Sequence, residues 1–163
     1  MPIKNKITTL KELIQIVQKL KSQNKKIATT NGVFDILHLG HVKYLEGAKK
    51  LADILIVGVN SDSSVKKIKG PKRPINDEDS RLAVLSALES VDYAFLFDEK
   101  DPREWLSKIK PDFHAKAGDY KISQIVEKDV VEKNNGKLVL IAMVKGCSTT
   151  GMINKILEIN RKQ

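Results

Sequence analysis

The sequence predicts an α/β domain with a Rossmann-like, doubly wound architecture, in which helices cover both faces of a mainly parallel five-stranded sheet. Two apolar runs, ILIVGV at residues 54–59 and LVLIAMV at 138–144, lack the polar alternation of a half-exposed strand. Such runs are typical of strands buried on both faces in parallel sheets. Helical patterns separate the strands, as βαβ units require. The 163 residues fit one domain over 1–163, with an N-terminal helix within 1–25 and an α/β core at 26–163.

The first predicted element is a helix at 10–22, because its apolar residues recur at three- and four-residue spacing and Thr8 or Thr9 can cap its start. Residues 1–7 are predicted to be an irregular start. Strands are predicted at 26–30, 54–59, 93–97, 113–116 and 138–144, with a weaker sixth at 65–68. Further helices are predicted at 41–52, 78–89, 102–109, 122–134 and 149–161. A ligand of such a fold binds beyond the carboxyl ends of the strands.

The composition favours an anionic partner. Lysine and arginine total 29 against 20 acidic residues, a formal net charge of +9, which suits nucleic acid, acidic lipid or phosphorylated small molecules. Aromatic residues are only 5%, which argues against a protein that stacks single-stranded bases. One cysteine excludes an internal disulfide and a cysteine-based zinc finger. The start lacks the apolar block of a secretory signal and no run approaches a membrane span, so we expect a cytoplasmic protein without a membrane partner.

Two histidines mark the most informative segment. The first strand leads into Asn31-Gly-Val-Phe-Asp and then into His38-Leu-Gly-His41, where a helix begins. A helix start offers free N–H groups and a partial positive charge, and imidazoles beside it can donate hydrogen bonds to phosphate oxygens. Gly40, without a side chain, lets a ligand approach the backbone. A polyphosphate is therefore the predicted ligand; the alternative is that both histidines are packing residues at a turn.

A basic segment follows the second strand. Residues 65–74 hold five basic residues and a Gly-Pro break. We interpret this as a mobile loop that brings Lys69 and Arg73 over a triphosphate, while Lys66, Lys67 and Lys72 stay in solvent. The alternatives are a solvated loop or a nucleic-acid patch.

Two segments near the carboxyl end could also contact a nucleotide. Gly118 permits a tight approach after the fourth strand, and Asp119 can accept hydrogen bonds from a ribose or a base. Hydroxyls at 148–150 precede the last helix, where they can cap it or bind phosphate. Three other sites are excluded or disfavoured: Met152 stands where a P-loop needs lysine, no G-x-G-x-x-G is present, and Cys147 is expected to be a small buried thiol.

The Asn31-to-Asp35 and His38-to-His41 segments together resemble the signature of the H-x-G-H nucleotidyltransferase superfamily, the cytidylyltransferase-like group. Further elements extend the likeness over residues 31–150 and make the chain most similar to the bacterial D-glycero-β-D-manno-heptose 1-phosphate adenylyltransferases. They are Val59-Asn-Ser-Asp, Ile68-Lys-Gly, Arg73-Pro, Arg81, Val91-Asp-Tyr, Lys116, Gly118-Asp-Tyr and Gly146-Cys-Ser-Thr-Thr. The chain departs from that pattern at Ala117, which replaces a glycine, and at His114, which replaces an aliphatic residue.

The resemblance implies transfer of AMP from ATP to D-glycero-D-manno-heptose 1-phosphate, giving ADP-heptose and pyrophosphate for lipopolysaccharide core or another surface glycan. Mg²⁺ would accompany ATP, and no protein metal ligand is assigned. The alternative is a CTP-dependent transferase of the glycerol-3-phosphate type. A basic nucleic-acid-binding module is the rival from another class, although no nucleic-acid partner is expected. Dimers are common in the superfamily, so a homodimer is an open possibility.

The resemblance also implies the roles of single residues. His38, His41 and Lys69 would be catalytic, with the histidines stabilising charge on the α-phosphate. The residues implied to bind the nucleotide or its phosphates are Asn31, Gly32, Phe34, Gly40, Arg73, Arg81, Lys116, Gly118, Asp119, Ser148, Thr149 and Thr150. No strong base is needed, because the attacking sugar-phosphate oxygen is already anionic; positioning and electrostatic stabilisation suffice.

Overall fold

Five parallel strands form the centre of the molecule in the computed structural model, which describes residues 2–118 and 125–161. They are β1 (Ile27–Gly32), β2 (Ile54–Asn60), β3 (Tyr93–Phe97), β4 (Phe113–Ala117) and β5 (Lys137–Ile141). Their order across the sheet is β3-β2-β1-β4-β5, and every pair of neighbours is parallel. The predicted fold class is confirmed.

One or two helices lie between each strand and the next along the chain. The helices are α1 (Leu10–Ser22), α2 (Leu39–Lys49), α3 (Asp62–Lys69), α4 (Glu78–Ser86), α5 (Arg103–Ile109), α6 (Lys128–Lys133) and α7 (Thr149–Arg161). Helix α1 starts where the sequence predicts, because Thr9 and Glu12 form a reciprocal capping box: the Thr9 hydroxyl accepts from the Glu12 N–H at 3.3 Å, and the Glu12 carboxylate accepts from the Thr9 N–H at 3.0 Å.

Helices pack on both faces of the sheet. Alternate strand residues such as Leu55 and Val57 join α2 and α4 in one apolar cluster. The intervening residues, such as Ile56, join α1, α5 and α6 in a second cluster around Trp105. Because β1 leads to α2 on the first face and β4 leads to α6 on the second, the connecting helices change faces between the parallel strands β1 and β4. This is the topological switch point at which doubly wound folds bind ligands.

Four sequence-based expectations differ from the structure. The weak strand at 65–68 is wrong: these residues lie in α3, whose start is capped by the Ser61 hydroxyl, which accepts from the Ser64 N–H at 3.2 Å. Strand β5 ends at Ile141 rather than 144, because its partner β4 ends at Ala117 in the same register. The chain start is ordered by a short 3-10 helix at Ile3–Asn5 and a bridge from Ile7 to the sheet. The helix predicted at 122–134 covers Lys128–Lys133, and residues 119–124 lie outside the described part.

Helix α7 leaves much of its apolar surface in solvent. Ile156, Leu157 and Ile159 are each more than half exposed. A homodimer stays a prediction. Across the two described ranges, no helix has the length and apolar character needed to cross a bilayer.

Candidate active site

A cleft of about 350 Å³ opens at the carboxyl ends of the strands, at the switch point between β1 and β4. Nine of the sequence-predicted site residues line it: Asn31, Gly32, Phe34, His41, Lys69, Arg73, Lys116, Thr149 and Thr150. His38, Gly40, Arg81, Gly118 and Ser148 are not among its lining residues, and Asp119 lies outside the described part of the chain. Segments from five different parts of the sequence therefore meet where the fold predicts a ligand.

The two histidines form the start of α2. His38 is the N-cap residue, and its Nδ1 accepts a hydrogen bond from the His41 backbone N–H at 3.3 Å. This leaves the proton of the neutral His38 ring on Nε2, where it can be donated to a ligand. The two rings stack with centroids 3.8 Å apart, and the Phe34 ring meets His41 edge-on at 5.2 Å.

Both histidines are held in the neutral form. Burial and the neighbouring His38 lower the pKa of His41 to about 4, against the opposing effect of the Ile36 backbone. Burial also lowers the pKa of His38. Nδ1 of His41 is buried without a well-formed hydrogen bond, so Nε2 is the ring nitrogen that remains for the cleft. The His38 ring thus offers an N–H donor, and positive charge must come from lysine and arginine.

Gly40 is buried behind the histidines. A Cβ built on it would lie 3.0 Å from Cys147 Cβ and 3.0 Å from the His38 ring. The missing side chain therefore lets α2 pack against the loop before α7; contact between Gly40 and a ligand stays a prediction. Cys147 is half-buried rather than buried.

Asp35 anchors the basic segment. Its carboxylate, 1% exposed, accepts hydrogen bonds from Arg73 Nε at 2.6 Å and from the backbone N–H groups of Ile75 and Asn76 at 2.7 and 2.9 Å. Half of the predicted mobile loop is thus tied to the turn after β1, and the other half is the end of α3. Sequence reasoning assigned no role to Asp35, although its position directly after a buried strand was a usable signal.

Arg81 joins three segments behind the cleft. Its guanidinium is fully buried and donates to Asp62 Oδ1 and the Val33 carbonyl, each at 2.7 Å, and to the Asn76 carbonyl at 3.0 Å. The nearby acidic residues Asp77 and Glu78 suggest a surface ion pair for this arginine, but its ionic partner is Asp62 on α3. The phosphate-binding role of Arg81 stays a prediction.

Lysines from two elements and one loop line the cleft. Lys69 is the last residue of α3, and Lys116 lies on β4 with its Nζ donating to Asn31 Oδ1 at 3.0 Å. Lys100 also lines the cleft and was not foreseen. It follows β3 closely, so the rule that ligands bind beyond strand ends could have found it.

The hydroxyl residues at the start of α7 are predicted either to cap the helix or to bind phosphate, and their positions differ in this respect. The Ser148 hydroxyl accepts from the Gly151 N–H at 3.0 Å, which is a capping contact. Thr149 and Thr150 line the cleft, and the Thr149 hydroxyl reaches the Ile36 carbonyl at 3.5 Å.

The comparison with known proteins decides the family, because residues 29–153 match the model described as Cytidylyltransferase-like. The chain belongs to the cytidylyltransferase-like family. This membership confirms the resemblance seen in the motifs and makes the chain a nucleotidyltransferase. Within the described residues, no group of three or more His, Cys, Asp or Glu side chains could hold a metal ion.

Curated relatives of this cytidylyltransferase-like chain are bacterial proteins named Bifunctional protein HldE. The one from Trichlorobacter lovleyi is 46% identical over 154 residues, which cover 94% of this chain and 31% of the relative. The one from Histophilus somni is 49% identical over 148 residues, covering 91% of this chain and 31% of the relative. The chain therefore spans about a third of the length of these relatives.

Two solved structures share the fold. The lipopolysaccharide core biosynthesis protein from Thermoplasma volcanium is 36% identical, with a TM-score of 0.62, and the match covers 76% of this chain and 99% of that one. The pantoate-beta-alanine ligase of Francisella tularensis is 19% identical, with a TM-score of 0.63 over 96% of this chain and 79% of the ligase. The second likeness concerns the fold alone.

Proposed function

We propose that the protein transfers AMP from ATP to D-glycero-D-manno-heptose 1-phosphate, giving ADP-heptose and pyrophosphate. The observation that carries this proposal is the chemistry of the cleft. Lys69, Arg73, Lys100 and Lys116 line it together with a neutral imidazole. Its one carboxylate among the described lining residues, Asp35, is occupied by three hydrogen bonds. Such a site suits a polyanion and contains no acid–base pair.

The proposed reaction needs no such pair. An anionic oxygen of the sugar phosphate attacks the α-phosphorus of ATP, a new P–O bond forms, and the bond to the β-phosphate bridging oxygen breaks as pyrophosphate leaves. His41 would donate a hydrogen bond to the α-phosphate, and Lys69 and Arg73 would neutralise the departing phosphates. Catalysis then rests on positioning and on charge stabilisation.

The relatives support this acceptor and this pathway. The chain is similar to proteins named Bifunctional protein HldE and to a protein titled as acting in lipopolysaccharide core biosynthesis. A heptose donor for such a core is the product that the resemblance implies.

Mg²⁺ fits this site as a companion of the nucleotide. It keeps several waters and binds through one or two carboxylates plus substrate phosphates, and the Asp35 carboxylate is already engaged by Arg73. The triphosphate would therefore supply most ligands of the ion, whose contribution is to neutralise phosphate charge. The cations of Lys69 and Lys116 would complement it.

A second candidate is transfer of CMP from CTP to glycerol 3-phosphate. The description of the matching family as Cytidylyltransferase-like favours it. Both reactions would use the same phosphate groups of the cleft and differ in the base and the acceptor.

Pyrophosphate release tests the proposal. ATP and CTP are each combined with heptose 1-phosphate and with glycerol 3-phosphate, and the sugar nucleotide is identified by mass. We expect release with ATP and heptose 1-phosphate only. A preference for CTP with glycerol 3-phosphate would establish the second candidate instead. Tight oligonucleotide binding at physiological salt, with a steep salt dependence, would revive the nucleic-acid alternative.

A further inference from the structure

A cluster of buried ionisable groups lies beneath the β4 wall of the cleft. The Glu127 carboxylate, 3% exposed, forms an ion pair with Lys116 Nζ. The fully buried His114 ring places its Nε2 3.5 Å from Oε1 of the same carboxylate. Glu127 precedes α6, and both of its partners lie on β4.

The protonation states of this cluster are set by its surroundings. Burial lowers the pKa of His114, so its ring is neutral. Burial alone would raise the pKa of Glu127, but contact with His114 and the charge of Lys116 outweigh it and lower the pKa to about 2. A carboxylate can only accept, so the His114 proton belongs on Nε2, facing Glu127. Nδ1 of His114 then accepts from the Thr29 hydroxyl, 2.8 Å away.

These contacts restrict the Lys116 ammonium. Of its three N–H groups, one faces Glu127 and a second donates to Asn31 Oδ1 at 3.0 Å. The third is left for the cleft. Because the Asn31 amide oxygen faces Lys116, the Asn31 amide also keeps its N–H groups for other partners. Asn31 and Lys116 both line the cleft and an adjoining cavity of about 200 Å³.

We propose that Glu127, supported by His114, is a positioning residue that holds the Lys116 ammonium with one N–H directed at the phosphates of the bound nucleotide. The Lys116 side chain is only 14% exposed, and a charge so poorly hydrated needs a fixed counter-charge to stay in place. The inference rests on the proposed function, because it assigns Lys116 to a nucleoside triphosphate.

A double-variant cycle tests this role. Glu127→Met, Lys116→Met and the double variant are compared for KM of nucleotide and acceptor, for kcat, and for calorimetric affinity for ATP and CTP with Mg²⁺. Methionine fills similar space without accepting a hydrogen bond, and replacing both members of a buried ion pair by apolar residues is often neutral for stability. Thermal unfolding of each variant therefore separates folding from binding.

We expect Glu127→Met to weaken binding of the preferred nucleotide by about tenfold, with kcat and acceptor KM changed by less than about twofold. Lys116→Met weakens it at least as much, and the double variant is no weaker than Lys116→Met alone. The proposal is overturned if Glu127→Met does not weaken nucleotide binding. It is also overturned if Glu127→Met weakens binding equally in the wild-type protein and in the Lys116→Met variant. If Glu127→Met does not fold, Glu127→Gln, which keeps the shape, decides by the same comparison.

Glu132 on α6 supplies the matched control. Its side chain is 55% exposed and lies 3.8 Å from Lys128, so Glu132→Gln should leave nucleotide binding unchanged. A wild-type preference for CTP would contradict the proposed transfer of AMP. The double-variant cycle would then be measured with CTP and would still test the positioning role of Glu127. Independence of the two variants in a protein that prefers ATP would overturn the positioning role alone. A wild-type protein that binds neither nucleotide would overturn both.

Discussion

At the scale of the residue, the site depends on side chains whose chemistry is changed by burial. His41 has its pKa lowered to about 4, so near neutral pH its ring is uncharged and does not act as a cation. Its ring is packed between His38 and Phe34, which fixes the orientation of the ring and of its two nitrogen atoms. The packing and the ligand-binding interpretations of the motif are therefore compatible, because the stacking orients the group that would bind phosphate.

Replacement of His41 by alanine tests the donor. We expect His41→Ala to lower kcat by about 10²–10³-fold, because one well-placed donor to a developing oxyanion has this effect, while the circular dichroism spectrum and the cooperative thermal transition persist. Lys43→Ala on the exposed side of the same helix, which removes only a surface pair with Glu46, should leave kcat unchanged. An unfolded His41→Ala protein would mean that the ring serves packing alone.

At the scale of the element, α3 and the segment after it deliver cations from one side of the cleft. Lys66, Lys67 and Lys69 are all exposed on this helix, but of the three only Lys69, at its end, lines the cleft. Arg73 is held by Asp35 across 38 positions of sequence. The segment is thus less free than its composition suggests, because a buried carboxylate ties its second half to the turn after β1.

A pair of variants on α3 separates placed charge from general charge. We expect Lys69→Ala to lower kcat/KM for the nucleotide by about tenfold to hundredfold. Lys67→Ala, which removes the same charge from a position two residues away that does not line the cleft, should change it by less than about twofold. Steady-state kinetics at two salt concentrations measure both. Equal losses would indicate a solvated loop that attracts anions without contacting them.

At the scale of the whole molecule, the fold brings all three of its histidines into environments that disfavour their charged form. Their folded pKa values lie below the unfolded value near 6.5. Between those values the unfolded chain binds protons that the native protein does not bind, so acid favours unfolding. The contribution of these histidines to the free energy of unfolding is therefore fully present above about pH 6.5. It is lost as the pH falls toward their pKa values in the folded protein.

Urea unfolding at several pH values measures this loss. We expect the free energy of unfolding to decline from pH 7 to pH 5, with net proton uptake on unfolding, and to decline further below about pH 4.5 as Glu127 is protonated in the unfolded chain. His41→Gln should flatten the slope above pH 5. A free energy of unfolding that is constant from pH 7 to pH 5 would contradict the neutral, buried state of these rings.

Much of the fold could be predicted because its signals are local. Stretches of apolar or β-prone residues located all five strands, and the Thr9 capping residue located the start of α1. The errors arose where tertiary pairing decides. Val144 continues the apolar run of β5, but the strand ends at Ile141 because β4 offers no partner beyond Ala117. Val65 and Ile68 are compatible with a strand by type, but they lie in the helix that Ser61 caps.

The sequence by itself determined the kind of chemistry in this protein: paired imidazoles and glycine at a helix start, and basic residues and hydroxyls after strand ends, are local features that favour phosphate. Only the tertiary structure decided which charges meet. Glu127 pairs with Lys116, Arg73 with Asp35 and Arg81 with Asp62. The physical reason is that an ion pair depends on distances of a few ångströms between segments far apart in the chain, and helix packing on the two faces of the sheet sets those distances.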